Sequence, residues 1–406
     1  MAPVSEHSAP PLDSRPMRLL IFTVFLRLGL TSFGGPIAHL GYFREEFVVR
    51  RRWLTEAEFA QLLAICQALP GPASSQLGFA VGLLRGGWRG GLLAFLGFTL
   101  PSAMLMFGLA MLAPRLDGAA AAAAVDGLKL VAVVVVAHGL VGMARSLAPD
   151  LPRAVLAVLA LAVMLAGGPA WRQLAVIAGG GLLGLWLCRS VPALPTAGLV
   201  VRHGRLAAYT LLGLSGLGLA AALWLAGGPA SLATLAAAFY EAGALVFGGG
   251  HVVLPLLEQS TVESGWLQED VFLAGYGAAQ ALPGPMFALS AYLGALVPTG
   301  ASPAVGAAVA LLAMFLPGLL LVAAMLPLWR SLASRRWAPP AIAGINAAVV
   351  GLLAAALVGT VLPAGVRGPV DAGVAVVGLA VLAFGRVSVL WVATGVVAVC
   401  VVRALL

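Results

Sequence analysis

Charge is what this sequence has least of. Asp, Glu, Lys and Arg make up 9% of its 406 residues, while 61% are hydrophobic and the mean hydropathy is +1.04. No soluble globular domain carries that balance, and many apolar runs of about 18 residues or more predict a polytopic membrane protein. Lysine is nearly absent: Lys129 stands alone, and arginine carries the net charge of +8. In a membrane protein such an excess reports orientation through the positive-inside rule. With no interleaved basic-aromatic patch, nucleic acid is not an expected partner. The three cysteines, Cys66, Cys188 and Cys400, are scattered through apolar segments, which excludes a disulfide framework and metal-ligand spacing. No phosphate loop ending in Gly-Lys-Ser/Thr occurs, so ATP hydrolysis is not expected. There is no Ser-His-Asp grouping and no His/Cys/Glu cluster, so neither enzyme chemistry, a cofactor nor a metal is predicted.

What the chain does have is a six-residue motif that occurs twice. Gln67-Ala68-Leu69-Pro70-Gly71-Pro72 returns as Gln280-Ala281-Leu282-Pro283-Gly284-Pro285, each time inside a long apolar stretch. The first proline fixes φ, removes a donor and biases its predecessor away from the helix, while glycine adds freedom. The second proline suits the first turn of a new helix. Each copy therefore reads as a break between two half-helices. In a bilayer such a break is tolerable only against protein or a water-filled cavity, which makes both copies candidate walls of a polar site.

Apolar runs give about thirteen segments, the first at 17–43, 55–84 and 91–113 and the last at 369–385 and 387–405. They pair off. Ten of the twenty positions 53–72 are identical to their partners at 266–285, Phe33-Gly34-Gly35-Pro36 matches Phe247-Gly248-Gly249-Gly250, and Leu100-Pro101 matches Leu316-Pro317. Six segments repeat, a seventh joins the halves, and the odd number predicts a second half lying upside down relative to the first. Charge agrees: Arg44, Arg50, Arg51 and Arg52 face Glu258, Glu263, Glu269 and Asp270 at the corresponding places. Because Arg44 to Arg52 and Arg85/Arg89 flank 55–84 with the same sign, that segment is expected to enter and return. As one helix it would be roughly 45 Å long, more than the ~30 Å apolar core. The expected fold is thus an all-α polytopic membrane protein built as an inverted-topology tandem repeat, with helices broken at Pro-Gly-Pro and Gly-Gly motifs. Its parts are a disordered tail at 1–16, a first repeat at 17–190, a linker and connecting helix at 191–230, and an inverted second repeat at 231–406.

These motifs together, with Cys66 before the first Pro-Gly-Pro and His251 after the second glycine run, resemble the chromate ion transporter (CHR) family in its long two-domain form. The likeness covers nearly the whole chain apart from the tail and linker. It implies a multi-pass secondary transporter of the bacterial inner membrane that exports chromate and confers chromate resistance. One departure is Gly250, where the first half has Pro36. Sulfate, a tetrahedral dianion of similar size, is the natural mimic, so sulfate or oxyanion uptake is the alternative. A membrane-embedded enzyme acting on a lipid phosphate is a different-class alternative, for which Glu241 with His251 is the only acid/base pair the sequence offers. The partners expected are the anion and the lipid bilayer, with a homodimer left open.

A dianion crossing a low-dielectric layer needs donors and partial positive charge, which half-helix N-termini supply. Gly34, Gly35, Gly71, Gly248, Gly249, Gly250 and Gly284 are candidates to bring backbone amides to it, against the plainer role of close helix packing. Pro70, Pro72, Pro283 and Pro285 shape the breaks. Arg27 and Glu241 hold the same position in the two repeats, and charges at that depth suggest function: an ion pair, or an arginine facing the anion and a glutamate carrying a proton. Gln67 and Gln280 offer neutral donors. Lys129 is a candidate to attract the anion or to neutralise Asp126 one turn earlier, and its counterpart is Asn346. His39 and His251 flank the glycine motifs and titrate near neutrality when unperturbed, although local hydrogen bonding is the commoner role.

Overall fold

Caps, prolines and glycines set into apolar sequence mark many of the helix ends. A computed structural model describes residues 17–33, 35–112, 118–167, 172–199, 201, 203–246, 253–385 and 387–405. Among these the regular structure is helical throughout.

The first repeat opens with α1 (Met17–Thr31) and α2 (Gly35–Arg44), which runs on into a π-helical turn, Glu45–Arg50. The 15 residues of α1 span about 22 Å, too short to cross the ~30 Å apolar core. Next, α3 (Glu56–Ala68) starts from a capping box in which Thr55 and Glu58 exchange side-chain and backbone bonds, an arrangement worth about 0.5–2 kcal/mol. Pro70 ends it, with Leu69 driven into the extended region at φ −100 and ψ 150. Helix α4 (Ala73–Leu112) is two helices that fold back on each other at Gly87, whose φ of 63 and ψ of −161 are not helical, with Gly82 and Gly90 in close backbone contact across the turn. Then come α5 (Ala119–Leu147), α6 (Leu151–Leu165) capped by Asp150, and α7 (Arg172–Leu187).

Helix α8 (Arg205–Leu225) joins the halves. The second repeat follows the same order: α9 (Leu232–Leu245), α10 (Val253–Glu258) with a π-helical turn Gln259–Glu263, and α11 (Glu269–Ala281). A 3-10 turn, Met286–Ala288, leads into α12 (Leu289–Leu296), followed by α13 (Pro303–Ala333) and α14 (Ala338–Ala356). A last π-turn, α15 (Leu362–Gly365), α16 (Pro369–Phe384) and α17 (Val389–Leu405) complete the chain.

The repeat extends to individual contacts. Gly29 of α1 lies so close to α4 that a β-carbon there would sit 2.6 Å from the Phe98 carbonyl oxygen, and Gly243 of α9 lies against the Met314 carbonyl of α13 in the same way. Leu54 N–H donates to the Phe47 carbonyl at 3.0 Å, and Leu267 N–H to the Thr261 carbonyl at 2.8 Å. The re-entrance expected of 55–84 is present. The Arg85 guanidinium lies 5.8 Å from the centroid of the Trp53 ring, and Trp53 stacks on Phe47 at 5.4 Å. Both ends of the α3–α4 hairpin therefore open on one face. The α1–α2 hairpin opens there too, since Ile21 packs on Gly86 and Gly90.

That face also holds the linker. His203 lies 5.4 Å from the Trp88 ring, and Trp329 Nε1 donates to the Pro195 carbonyl at 2.9 Å. This is the arginine-rich face, the one that the positive-inside rule assigns to the cytoplasm in the sequence. At the far end Asp126, Asp270, Arg367, Asp371 and Arg403 gather in ion pairs. Helix α13 thus begins at the far face and finishes beside the linker, antiparallel to the second part of α4. The halves interlock: α5 packs on α17, and α14 on both α6 and α7.

Candidate functional site

The two Pro-Gly-Pro breaks cross between the repeats. Gly71 N–H donates to the Val246 carbonyl at 2.7 Å, and Gly284 N–H donates to the Ser32 carbonyl at 2.9 Å. Val246 and Ser32 are themselves pseudo-equivalent, each lying just before its glycine run. Each break is therefore closed by the other repeat. Both glycines have positive φ, 123° at Gly71 and 92° at Gly284, a region that L side chains rarely enter. Space is short as well: a β-carbon on Gly71 would lie 2.9 Å from Gly318 Cα, and one on Gly284 would lie 2.8 Å from Ser102 Oγ. These two amides are thus committed to the backbone of the opposite repeat. Pro72 and Pro285 sit one residue before their helices: the Pro72 carbonyl accepts from Gln76 N–H at 2.8 Å, and that of Pro285 from Ala288 N–H at 2.9 Å.

Around the breaks, buried polar atoms are left without partners. At the Gly284 crossing these are Ser32 Oγ, His39 Nδ1 and Thr99 Oγ1; at the Gly71 crossing they are Ser75 Oγ and Gln76 Oε1. All five side chains are buried, with Ser32, His39 and Gln76 at 0% exposure. His39 Nε2 lies 3.2 Å from the Ser32 carbonyl, which only accepts, so Nε2 carries the proton and Nδ1 is the bare nitrogen. Gln76 Nε2 donates to both the Pro70 and Gly318 carbonyls, at 2.8 and 3.0 Å, leaving its oxygen turned away from them. Buried polar groups in folded proteins are nearly always satisfied. The cluster of orphans at these helix breaks is the candidate polar site of the molecule. The first turn of α4, from Ala73, adds backbone amides beside Ser75.

The other sequence-predicted residues are spread more widely. Arg27 is exposed on α1 and Glu241 half-buried on α9, and no ion pair joins them among the described residues. Gln280 is buried and donates to the Met286 sulfur, whereas Gln67 is exposed and lines a cavity. Gly35 begins α2; Gly34, Gly248, Gly249, Gly250 and His251 lie outside the described residues. Lys129, 2% exposed, reaches Asp126 at 3.3 Å and, beyond what the sequence shows, Asp270 of α11 at 2.5 Å. Asp126 also pairs with Arg367 at 3.0 Å. Sequence reasoning does not single out the orphaned hydroxyls. Their only signal there is small polar residues set into apolar helices next to the breaks.

The cavity at Gln67 measures about 150 Å³ and lies between α3 and α14 at the linker face, with Ala64, Ser146, Arg153, Val191 and Asn346 on its walls. Arg153 is fixed there by Asp150, whose oxygen accepts from Nε at 2.9 Å and Nη2 at 2.6 Å. Those bonds hold the exposed Asp150 carboxyl below the usual carboxylate range.

Short re-entrant hairpins from inverted repeats, meeting tip to tip around unsatisfied polar groups, define the architecture of a multi-pass membrane transporter. The sequence profile of the chromate transporter family matches residues 19–185 and 233–402, one match per repeat, and the chain belongs to that family. It is 28% identical over 363 residues to the chromate transport protein of Pseudomonas aeruginosa, covering 86% of this chain and 82% of the relative. It is 30% identical over 343 residues to a probable chromate transport protein of Synechococcus elongatus, covering 82% of each. To the chromate transport protein of Cupriavidus metallidurans it is 29% identical over 390 residues, covering 93% of this chain and 89% of the relative. No solved structure matches it.

Proposed function

We propose that this protein carries chromate, or an oxyanion of the same shape and charge, out of the cytoplasm across the bacterial inner membrane and so confers chromate resistance. The observation that supports this best is the set of orphaned groups at the two crossings. Ser32, Ser75 and Thr99 offer hydroxyl donors, the first turn of α4 offers amides, and no fixed cation neutralises the spot among the described residues. Neutral donors suit a transported dianion. They replace its hydration without the deep trap that a buried arginine would make. Gly34, Gly35, Gly248, Gly249 and Gly250 would complete the ring of amides, Arg27 would draw the anion towards it, and Glu241, His39 and His251 would carry coupling protons. The names of the relatives support the substrate class.

The test is chromate uptake into inside-out membrane vesicles, with and without a membrane potential and with sulfate as competitor. Gradient-dependent uptake that sulfate depresses is the expected result. Uptake confined to right-side-out vesicles would reverse the direction, and none in either would remove chromate as the substrate.

A further inference from the structure

Two pseudo-equivalent seams in this molecule are in opposite states. At the far face, α11 is pressed onto α5: a β-carbon at Gly277 would overlap the Leu128 carbonyl oxygen, and Lys129 ties the two helices through Asp270. At the linker face the corresponding helices are α3 and α14, and between them lies the cavity of about 150 Å³ lined by Ala64, Gln67 and Asn346. The residues themselves account for the difference. Alignment of Trp53 with Trp266 places Ala64 opposite Gly277 and Ala57 opposite Asp270, and alignment of Gly127 with Gly344 places Asn346 opposite Lys129. Where the far seam has a glycine that admits the facing backbone, the near seam has a methyl group that holds it off. Where the far seam has a lysine and an aspartate, the near seam has an asparagine and an alanine. One seam carries a contact and a latch, and the other carries neither.

We propose that the α3–α14 cavity is the cytoplasmic entry site for the transported anion, with Gln67 and Asn346 as its neutral donors and Arg153 on its wall. Lys129, clamped between Asp126 and Asp270, is the bolt that shuts the matching exit. This rests on the reading of the chain as an anion transporter. Parting the helices removes Asp270 and leaves the buried lysine with Asp126 alone, a carboxylate it already shares with Arg367, so one positive charge at the seam goes uncompensated. Opening the exit therefore leaves Lys129 and Arg367 sharing one carboxylate, and an anion arriving from the crossings supplies the missing negative charge. The bolt is drawn by the cargo, and the exit stays shut to protons and water when no cargo is present.

The experiment uses the full-length protein in native vesicles of both orientations, with Cys66, Cys188 and Cys400 replaced by serine and a membrane-impermeant thiol reagent. Ala64→Cys should react in inside-out vesicles and be protected by chromate or sulfate. Ala274→Cys, one turn from Gly277 on α11, should stay unreactive in right-side-out vesicles until Asp270→Ala or Lys129→Gln is added, then react at least tenfold faster. The mirror variant, Ala57→Asp with Asn346→Lys, should close the near seam and slow labelling of Ala64→Cys. Ala274→Cys reacting equally with and without the latch would overturn the proposal, as would labelling of Ala64→Cys from outside only. Should a Lys129 variant fail to fold, Asp270→Ala and the mirror variant still decide. Labelling as expected without chromate flux would retain the gate and discard the substrate.

Discussion

Gly277 and Leu128 touch backbone to backbone, with no side chain between α11 and α5 at that point. Small residues allow such approach between membrane helices, and there is no room for a larger one. Gly277→Ala should force the helices apart and lower the stability of the purified protein by about 1–3 kcal/mol. It should also loosen the far seam, so thermal unfolding in detergent and thiol labelling of Ala274→Cys will move together.

The two break glycines make a second prediction. Gly71→Ala and Gly284→Ala each place a side chain at strongly positive φ, at a cost of ~1–3 kcal/mol, and each also meets the opposite repeat. Both variants should lose folded protein, measured by size-exclusion chromatography of the detergent-solubilised protein. Full yield and full flux in either would contradict the crossing geometry.

Orphaned hydroxyls behave differently from structural ones. Removing a bonded hydroxyl destabilises, whereas removing one that has no partner does not. Ser75→Ala and Thr99→Val, which replaces the hydroxyl with a methyl of the same size, should therefore leave the melting temperature unchanged or raised. They should weaken anion affinity about tenfold, the equivalent of ~1.5 kcal/mol for a hydrogen bond to a charged group. A fall in stability with unchanged KM would assign these side chains to packing instead.

Arg27 and Glu241 should act independently. They form no pair in the structure, so the effects of Arg27→Ala and Glu241→Ala on flux are expected to add in free energy, with a coupling within about 0.5 kcal/mol of zero. Recovery of flux in the double variant would show that they meet in some state of the transport cycle.

The legible parts of this protein are those whose physics is local. Proline removes a donor wherever it stands, so the ends of α3 and α11 at Ala68 and Ala281 can be read directly. Loop charge alone puts Arg85 on the face of Trp53, and the two side chains meet there. What the sequence hides is rotation about helix axes. The shared position of Arg27 and Glu241 suggests a pair, but shared position in a repeat fixes depth and not facing. Lys129 is traceable to Asp126 one turn away, whereas Asp270 lies on another helix of the other repeat. The orphaned Ser75 and Thr99 are invisible for a related reason. A serine or threonine in an apolar helix commonly bonds back to its own backbone, as Thr31 does to Arg27, and only the packed structure shows which ones do not.

The exchanged amides also set an order of assembly. When the first repeat enters the bilayer, Gly71 has no partner, because the Val246 carbonyl has not yet been synthesised. The Ser32 carbonyl must wait in turn for Gly284. The half-made protein thus holds an open, hydrated break at the centre of its first hairpin until the second repeat arrives. Chaperones or proteases that recognise exposed backbone have that interval in which to act.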